Sequence, residues 1–205
     1  KLSEETLKLA AELGDRAAEA HVLWNLQLVN LLQNNAALAI DFGEQSLVIA
    51  RELNLRELMA YTLSDLGWAY NDNCQFEKAA ERLQEGAQLW QELSNVPMLA
   101  NNLNVSLFGY LWNGNYEKVL GVAEQAYQIS FSSGNLWNQA SARMFQGEVW
   151  LQYGEMERAF TALRESVQFA EQANAPMYAT WFHATLCRAY SEMGLVQQGM
   201  EIYRQ

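Results

Sequence analysis

The chain has 205 residues, half of them apolar, and its 24 acidic and 13 basic side chains leave a formal charge of −11. That balance excludes a broad phosphate-binding surface, which needs clustered Lys and Arg, and it opposes docking on anionic lipid, so neither nucleic acid nor membrane is expected as a partner. With only 2 prolines, almost no β-branched runs, and an abundance of Ala, Leu, Glu and Gln, the composition specifies helices throughout and an all-α fold.

The first segment, "EETLKLAAELGD" at 4–15, matches "EQSLVIARELNL" at 44–55. Residues 1–15 therefore read as a second helix that lacks its first. Full helix pairs follow at 16–55, 56–95, 96–135 and 136–175, and 176–205 reads as a pair cut short. The whole is expected to be one array excised from a longer protein. In the pair at 56–95, Leu63, Leu66, Ala69 and Tyr70 fall at helical spacing and predict a first helix over 57–73. Ala79, Leu83, Gly86 and Leu89 share a stripe on a second helix over 76–93. Pro97 is placed at the start of the next helix and Pro176 just before another.

These pairs are in register without a gap. Ala20, Ala60, Ala100 and Ala140 recur at one fixed interval, as do Asn30, Tyr70, Tyr110, Trp150 and Tyr190. Asn34, Cys74, Gly114, Gly154 and Gly194 form a turn column, and Gly14, Asn54, Ser94, Gly134 and Asn174 form a break column. Both suit a backbone with φ above zero. Ala39, Ala79, Val119, Ala159 and Gly199 form a further small-residue column.

In "AYTLSDLGWAYNDNCQFEKAAERLQEG" the residues Ala60, Leu66, Gly67, Tyr70, Phe76, Ala79 and Gly86 match the pattern of the tetratricopeptide repeat, which the chain resembles over nearly its whole length. Gln27 and Leu107 depart from it at the Leu-Gly glycine, and Arg143 and His183 at a usually apolar place. The period is 40 where the standard unit has 34, and the extra residues are assigned to the end of the second helix and the loop after it. Phrases such as "ELSNVPMLANNLN" and "SSGNLWNQASA" look like the sensor arrays of bacterial STAND signal-transduction ATPases, including the maltose-regulon activator family. Similar arrays accompany some nucleotide cyclases. The resemblance implies a right-handed superhelical solenoid of antiparallel helix pairs in a cytoplasmic protein, working by binding a protein or peptide on its concave face. A small-molecule sensor, for example of an oligosaccharide, is the alternative it leaves open. So is a scaffold attached to an enzyme.

No Gly-Lys-Ser/Thr phosphate loop, His-Glu-x-x-His or nucleophile elbow is present, so neither catalysis nor a cofactor is expected in this segment. Cys74 and Cys187, 113 positions apart, carry no spacing that suggests a disulfide or a metal site. Packing columns stay constant from repeat to repeat. The columns that line the groove in tetratricopeptide arrays vary instead: Leu28, Trp68, Phe108, Glu148, Arg188; Trp24, Ser64, Asn104, Met144, Ala184; and His21, Tyr61, Asn101, Ser141, Trp181. Asn71, Asp72, Trp112 and Gln152 close the first helices. The ligand-binding set drawn from these is Trp24, Tyr61, Trp68, Asn71, Asn101, Asn104, Phe108 and Trp112, aromatic anchors interleaved with amides. Trp68 and Phe108 are expected roughly 10 Å apart, with space for one ligand group between them. Apolar residues at the two ends, Leu2, Leu7 and Leu9 and then Met200 and Ile202, favour end-to-end self-association.

Overall fold

Only a two- or three-residue corner separates each helix from the next. The computed structural model describes residues 2–203, and among these it contains eleven α-helices: α1 (Leu2–Leu13), α2 (Arg16–Leu32), α3 (Ala36–Glu52), α4 (Arg56–Asp72), α5 (Phe76–Glu92), α6 (Val96–Trp112), α7 (Tyr116–Ser133), α8 (Leu136–Gln152), α9 (Met156–Gln172), α10 (Pro176–Glu192) and α11 (Val196–Tyr203). From α2 to α11 the helices start at evenly spaced positions, Arg16, Ala36, Arg56, Phe76 and so on to Val196. The backbone period is therefore half the side-chain period. Within the complete pairs, first and second helices are almost equally long, so the length beyond the standard unit is not confined to the second helix and its loop, as the sequence suggested. Pro176 is the first residue of α10 rather than its predecessor, at the position where a missing N–H costs nothing.

The corners account for this regularity. The residues with positive φ are Gly14, Asn34, Asn54, Cys74, Ser94, Gly114, Gly134, Gly154, Asn174 and Gly194, the union of the turn and break columns. Each corner closes with the same hydrogen bond: the N–H after the left-handed residue reaches the carbonyl five positions back, as Asn35 to Asn30, Gln75 to Tyr70 and Asn115 to Tyr110, all at 2.8 Å. The left-handed residue itself donates to the carbonyl three back, as Asn34 to Leu31 at 2.9 Å. This pair of bonds is the Schellman arrangement, which satisfies two orphan carbonyls at a helix end. Asp15 and Asn135 then cap the following helices through their side chains, accepting from the Ala18 and Asn138 N–H groups at 3.0 Å.

The chain forms two compact units, 1–109 and 110–205. In the N-terminal unit, Leu63 and Leu66 of α4 are sealed between α3 and α5 with Leu47, Tyr70 and Ala79. Full burial of each leucine contributes about 2 kcal/mol. The small column keeps the helices close: Ala20, Ala60 and Ala100 have no exposed surface. In the C-terminal unit Phe145, Val149 and Leu163 fill the corresponding interior of α8 and α9. At the ends Leu9 and Met200 are exposed, Leu7 and Ile202 half-buried; the Leu2 side chain lies outside the described residues.

Candidate functional site

On α4 the residues Tyr61, Asp65, Trp68 and Asp72 follow one another at i, i+4, i+7 and i+11, which makes a single stripe along the helix. Aromatic and acidic side chains alternate down it. From α2, Trp24 leans over the stripe, its ring centroid 5.4 Å from that of Tyr61 and its Nε1 donating to Asp65 Oδ2 at 2.8 Å. From α6, Phe108 stacks on Trp68 with centroids 6.3 Å apart and planes within 17°. Tyr61 in turn meets the edge of Trp90, a sealed α5 ring, at 4.8 Å. The outer end of the platform is open: 42% of Trp68 is exposed.

Four of the sequence-selected residues, Trp24, Tyr61, Trp68 and Phe108, thus come together in the N-terminal unit. The expected gap between Trp68 and Phe108 is absent. A backbone spacing of roughly 10 Å is closed by two long side chains leaning toward each other, so a ligand group can lie on this pair but not between its rings. Asn101 is half-buried, and Asn71 and Asn104 are buried. Asn71 Nδ2 donates to the Val105 carbonyl at 3.3 Å, tying α4 to α6. Trp112 belongs to the C-terminal unit and is half exposed there.

Asp65 was not legible as a site residue. Its own column, Asn25, Asp65, Val105, Phe145 and Thr185, mixes solvent and core residues and carries no pattern. Burial under Trp24 pushes its carboxyl up to about 7, and the single indole hydrogen bond offsets this only in part. Asp72, which accepts from the Trp68 indole, is also raised by burial. Among the described residues no ion pair reaches either carboxylate.

The C-terminal unit has a different feature. Arg143 occupies the place of Leu63, with its guanidinium 3.8 Å from the Tyr127 centroid and Nη1 donating to Gln146 Oε1 at 2.7 Å. Its Nε lies 2.8 Å from Glu165 Oε2 but is not aimed along a hydrogen bond. Ala162 stands where the N-terminal unit has Arg82, which there closes onto Glu44 at 2.9 Å. Ala162 lines a cavity of about 620 Å³ between α7, α8 and α9, with Trp150 under Arg158 at 3.5 Å.

No protein-family model matches the sequence, and no curated protein is similar to it. Solved structures are similar. BtubC from P. vanneervenii superposes with a TM-score of 0.77 at 15% identity, over 98% of this chain and 85% of that one. A STAND signal-transduction ATPase with a tetratricopeptide repeat sensor, from Pyrococcus horikoshii, gives 0.76 at 15% identity over 90% of this chain. The fold is tetratricopeptide-like. A Rap protein complexed with Competence and Sporulation Factor shares this fold as well, with a TM-score of 0.75 at 14% identity over 92% of this chain and 62% of that one. This chain spans only 29% of the STAND protein, so the tetratricopeptide-like segment corresponds to a minor part of it. Among the described residues no helix is long and apolar enough to cross a membrane.

Proposed function

We propose that the chain is a binding array of a larger regulatory protein, taking an extended protein or peptide segment on the first-helix face of its N-terminal unit and controlling an attached effector. The observation that carries this is the Tyr61–Asp65–Trp68–Asp72 stripe with Trp24 and Phe108 beside it. A stacked pair of large rings, Trp68 open to water and Phe108 half-buried, supplies the rigid anchor that partner segments use. The structural neighbours support the reading by analogy of fold: one carries a tetratricopeptide repeat sensor, and another is complexed with Competence and Sporulation Factor. The attached effector is then an ATPase, as in the STAND protein of the same fold, or another enzyme such as a nucleotide cyclase, and the chemistry would belong to it.

The test is selection of short peptides from a random display library on the wild type, followed by affinity measurements on variants with unchanged helix content. Trp68→Ala is expected to cost about 2 kcal/mol or more, and the outer-face variant Glu77→Ala almost nothing. Trp112→Ala probes the C-terminal unit separately. Peptides whose binding depends on Glu77 and ignores Trp68 would overturn the reading.

A second reading, recognition of a small molecule, draws on the C-terminal cavity, whose volume falls within the range of ligand pockets. Ala162→Arg places in the cavity wall the residue found at the equivalent position of the N-terminal unit. A metabolite that raises the melting temperature of the wild type but not of this variant would favour that reading.

A further inference from the structure

Resting on the peptide-binding reading, we propose that the partner segment is cationic, and that Asp65 receives a Lys or Arg side chain laid along the α4 stripe between Trp24 and the Trp68–Phe108 platform.

The geometry supplies both halves of a cation site. Trp68 sits one helical turn from Asp65 and one from Asp72, so the exposed ring is flanked by two carboxylates. A cation resting on the ring gains from its quadrupole, and the aliphatic stem of Lys or Arg gains from the apolar edges of Tyr61 and Phe108. Asp65 is oriented before any ligand arrives. Its Oδ2 is fixed by Trp24 Nε1, and Oδ1 has no protein partner among the described residues.

Among the described residues no cation competes for this position. The first helices of the N-terminal unit carry basic residues only at their first positions, Arg16 and Arg56. Arg16 is taken up by Glu52 and Glu19, and Arg56 by Glu92. On α2 the nearby polar groups are His21 and the Trp24 indole, while α6 has no Asp, Glu, Lys, Arg or His at all. The charged groups that α3 and α5 bring to α4 meet it at Tyr70, where Glu44 is already held by Arg82 and the phenol, or pair with each other as Arg51 with Glu85. A partly desolvated carboxylate without a counter-ion is an unfavourable arrangement for the free protein. A cationic partner relieves it, and the chain's net charge of −11 draws such a partner in.

Proton linkage follows. In the free protein the Asp65 carboxyl is raised to about 7, and a cation beside it favours the charged form. Binding should therefore release a proton below pH 7 and strengthen as pH rises through that value.

The experiment uses the peptides selected on the wild type and retains those whose binding is lost in Trp68→Ala. The proposal expects these peptides to be enriched in Lys and Arg over the naive library. It expects Asp65→Asn, which keeps the shape and the indole hydrogen bond, to weaken them at least about tenfold at pH 8. It also expects wild-type affinity to rise about tenfold between pH 5.5 and pH 8, a change absent in Asp65→Asn. Trp68-dependent peptides without basic enrichment, or with affinity unchanged within about twofold by Asp65→Asn, would overturn the cation proposal while leaving the groove reading intact. If no selected peptide depends on Trp68, the groove reading itself fails.

Discussion

Gly67 and Leu83 share one site in the interior: the Cγ and both methyls of the leucine fill the space that a Cβ on the glycine would need. The same exchange recurs, at the same sequence separation, within two other helix pairs. A Cβ on Gly43 would lie 2.7 Å from Gln27 Cδ, and one on Gly147 would lie 2.6 Å from Leu163 Cγ. In α2–α3 the bulky member sits on the first helix, and in α4–α5 and α8–α9 on the second. Gln27 is thus no flaw in the repeat pattern but the large partner of a glycine on the facing helix.

Gly67→Ala should accordingly destabilise by about 1–3 kcal/mol through overpacking, and Leu83→Ala alone by about 2–5 kcal/mol through the cavity it leaves. Together they should cost less than the sum, since each relieves the other. Urea unfolding of the two single variants and the double variant measures the coupling. Additive losses would show that the two residues do not share the site.

The corner positions separate backbone strain from crowding. Nothing lies within 4 Å of a Cβ built on Gly114 or Gly154, whose φ values are +71° and +74°. Gly114→Val and Gly154→Val should each lose about 1–2 kcal/mol to the left-handed conformation alone. Cys74→Gly should go the other way and gain up to about 1 kcal/mol, because Cys74 is exposed and already held at φ 55°. Thermal melts of the three variants decide it; a Cys74→Gly variant less stable than wild type would mean that the thiol contributes more than its backbone costs.

The fold was legible because its instructions recur. Columns of Gly, Asn, Ser and Cys marked every left-handed corner, and even Cys74 and Ser94, poor formers of that conformation, could be placed by register with their glycine counterparts. The candidate site was legible only in part. Aromatic anchors announced themselves by size, whereas the fate of an amide depended on packing: Asn71 turned inward to the Val105 carbonyl. Asp65 gave no signal, since its burial is produced by Trp24, distant in sequence and on another helix. The Trp68–Phe108 distance was misjudged because helix spacing does not specify where two long side chains meet.

The Asp65 carboxyl also makes stability depend on pH. Its folded value of about 7 lies above the ordinary range near 4 of an unfolded Asp, so the folded chain retains a proton that the unfolded chain loses. Its contribution is fully present below pH 4 and is lost as pH rises toward and through 7. Asp65→Asn should therefore gain on the wild type steadily from pH 5 to pH 8, then hold level. Unfolding free energies of both proteins at pH 5, 6, 7 and 8 test this; a constant difference would place the Asp65 carboxyl in its ordinary range.

Ser64 is the hub of a sealed polar network. Its hydroxyl accepts from Trp90 Nε1 at 3.1 Å and from Asn102 Nδ2 at 2.9 Å, and donates to the Ala60 carbonyl at 2.9 Å. Ser64→Ala strands two buried donors at once and should cost about 1–3 kcal/mol or more, whereas Ser132→Ala on the exposed end of α7 should cost almost nothing. Chemical denaturation compares them, with red-shifted Trp90 fluorescence as the accompanying sign that water has entered.

Uniform corners and paired interiors together determine how a gene for such a chain can be rearranged. All ten corners have one backbone form, so a crossover at any of them would rejoin the main chain without distortion. The side chains are less permissive. A crossover at Cys74 or Gly154 parts Gly67 from Leu83 or Gly147 from Leu163, and a mismatched replacement sets leucine against leucine or glycine against glycine. A crossover at Asn54 or Ser94 keeps those two Gly–Leu pairs whole, but at Ser94 it parts Gly86 from Asn102, whose Nδ2 lies 2.8 Å from the place of a Cβ on the glycine, and at Asn54 it parts Gly43 from Leu66. Segments of this array can therefore be traded at any corner as far as the backbone is concerned, but only where the incoming side chains match the glycines across the cut.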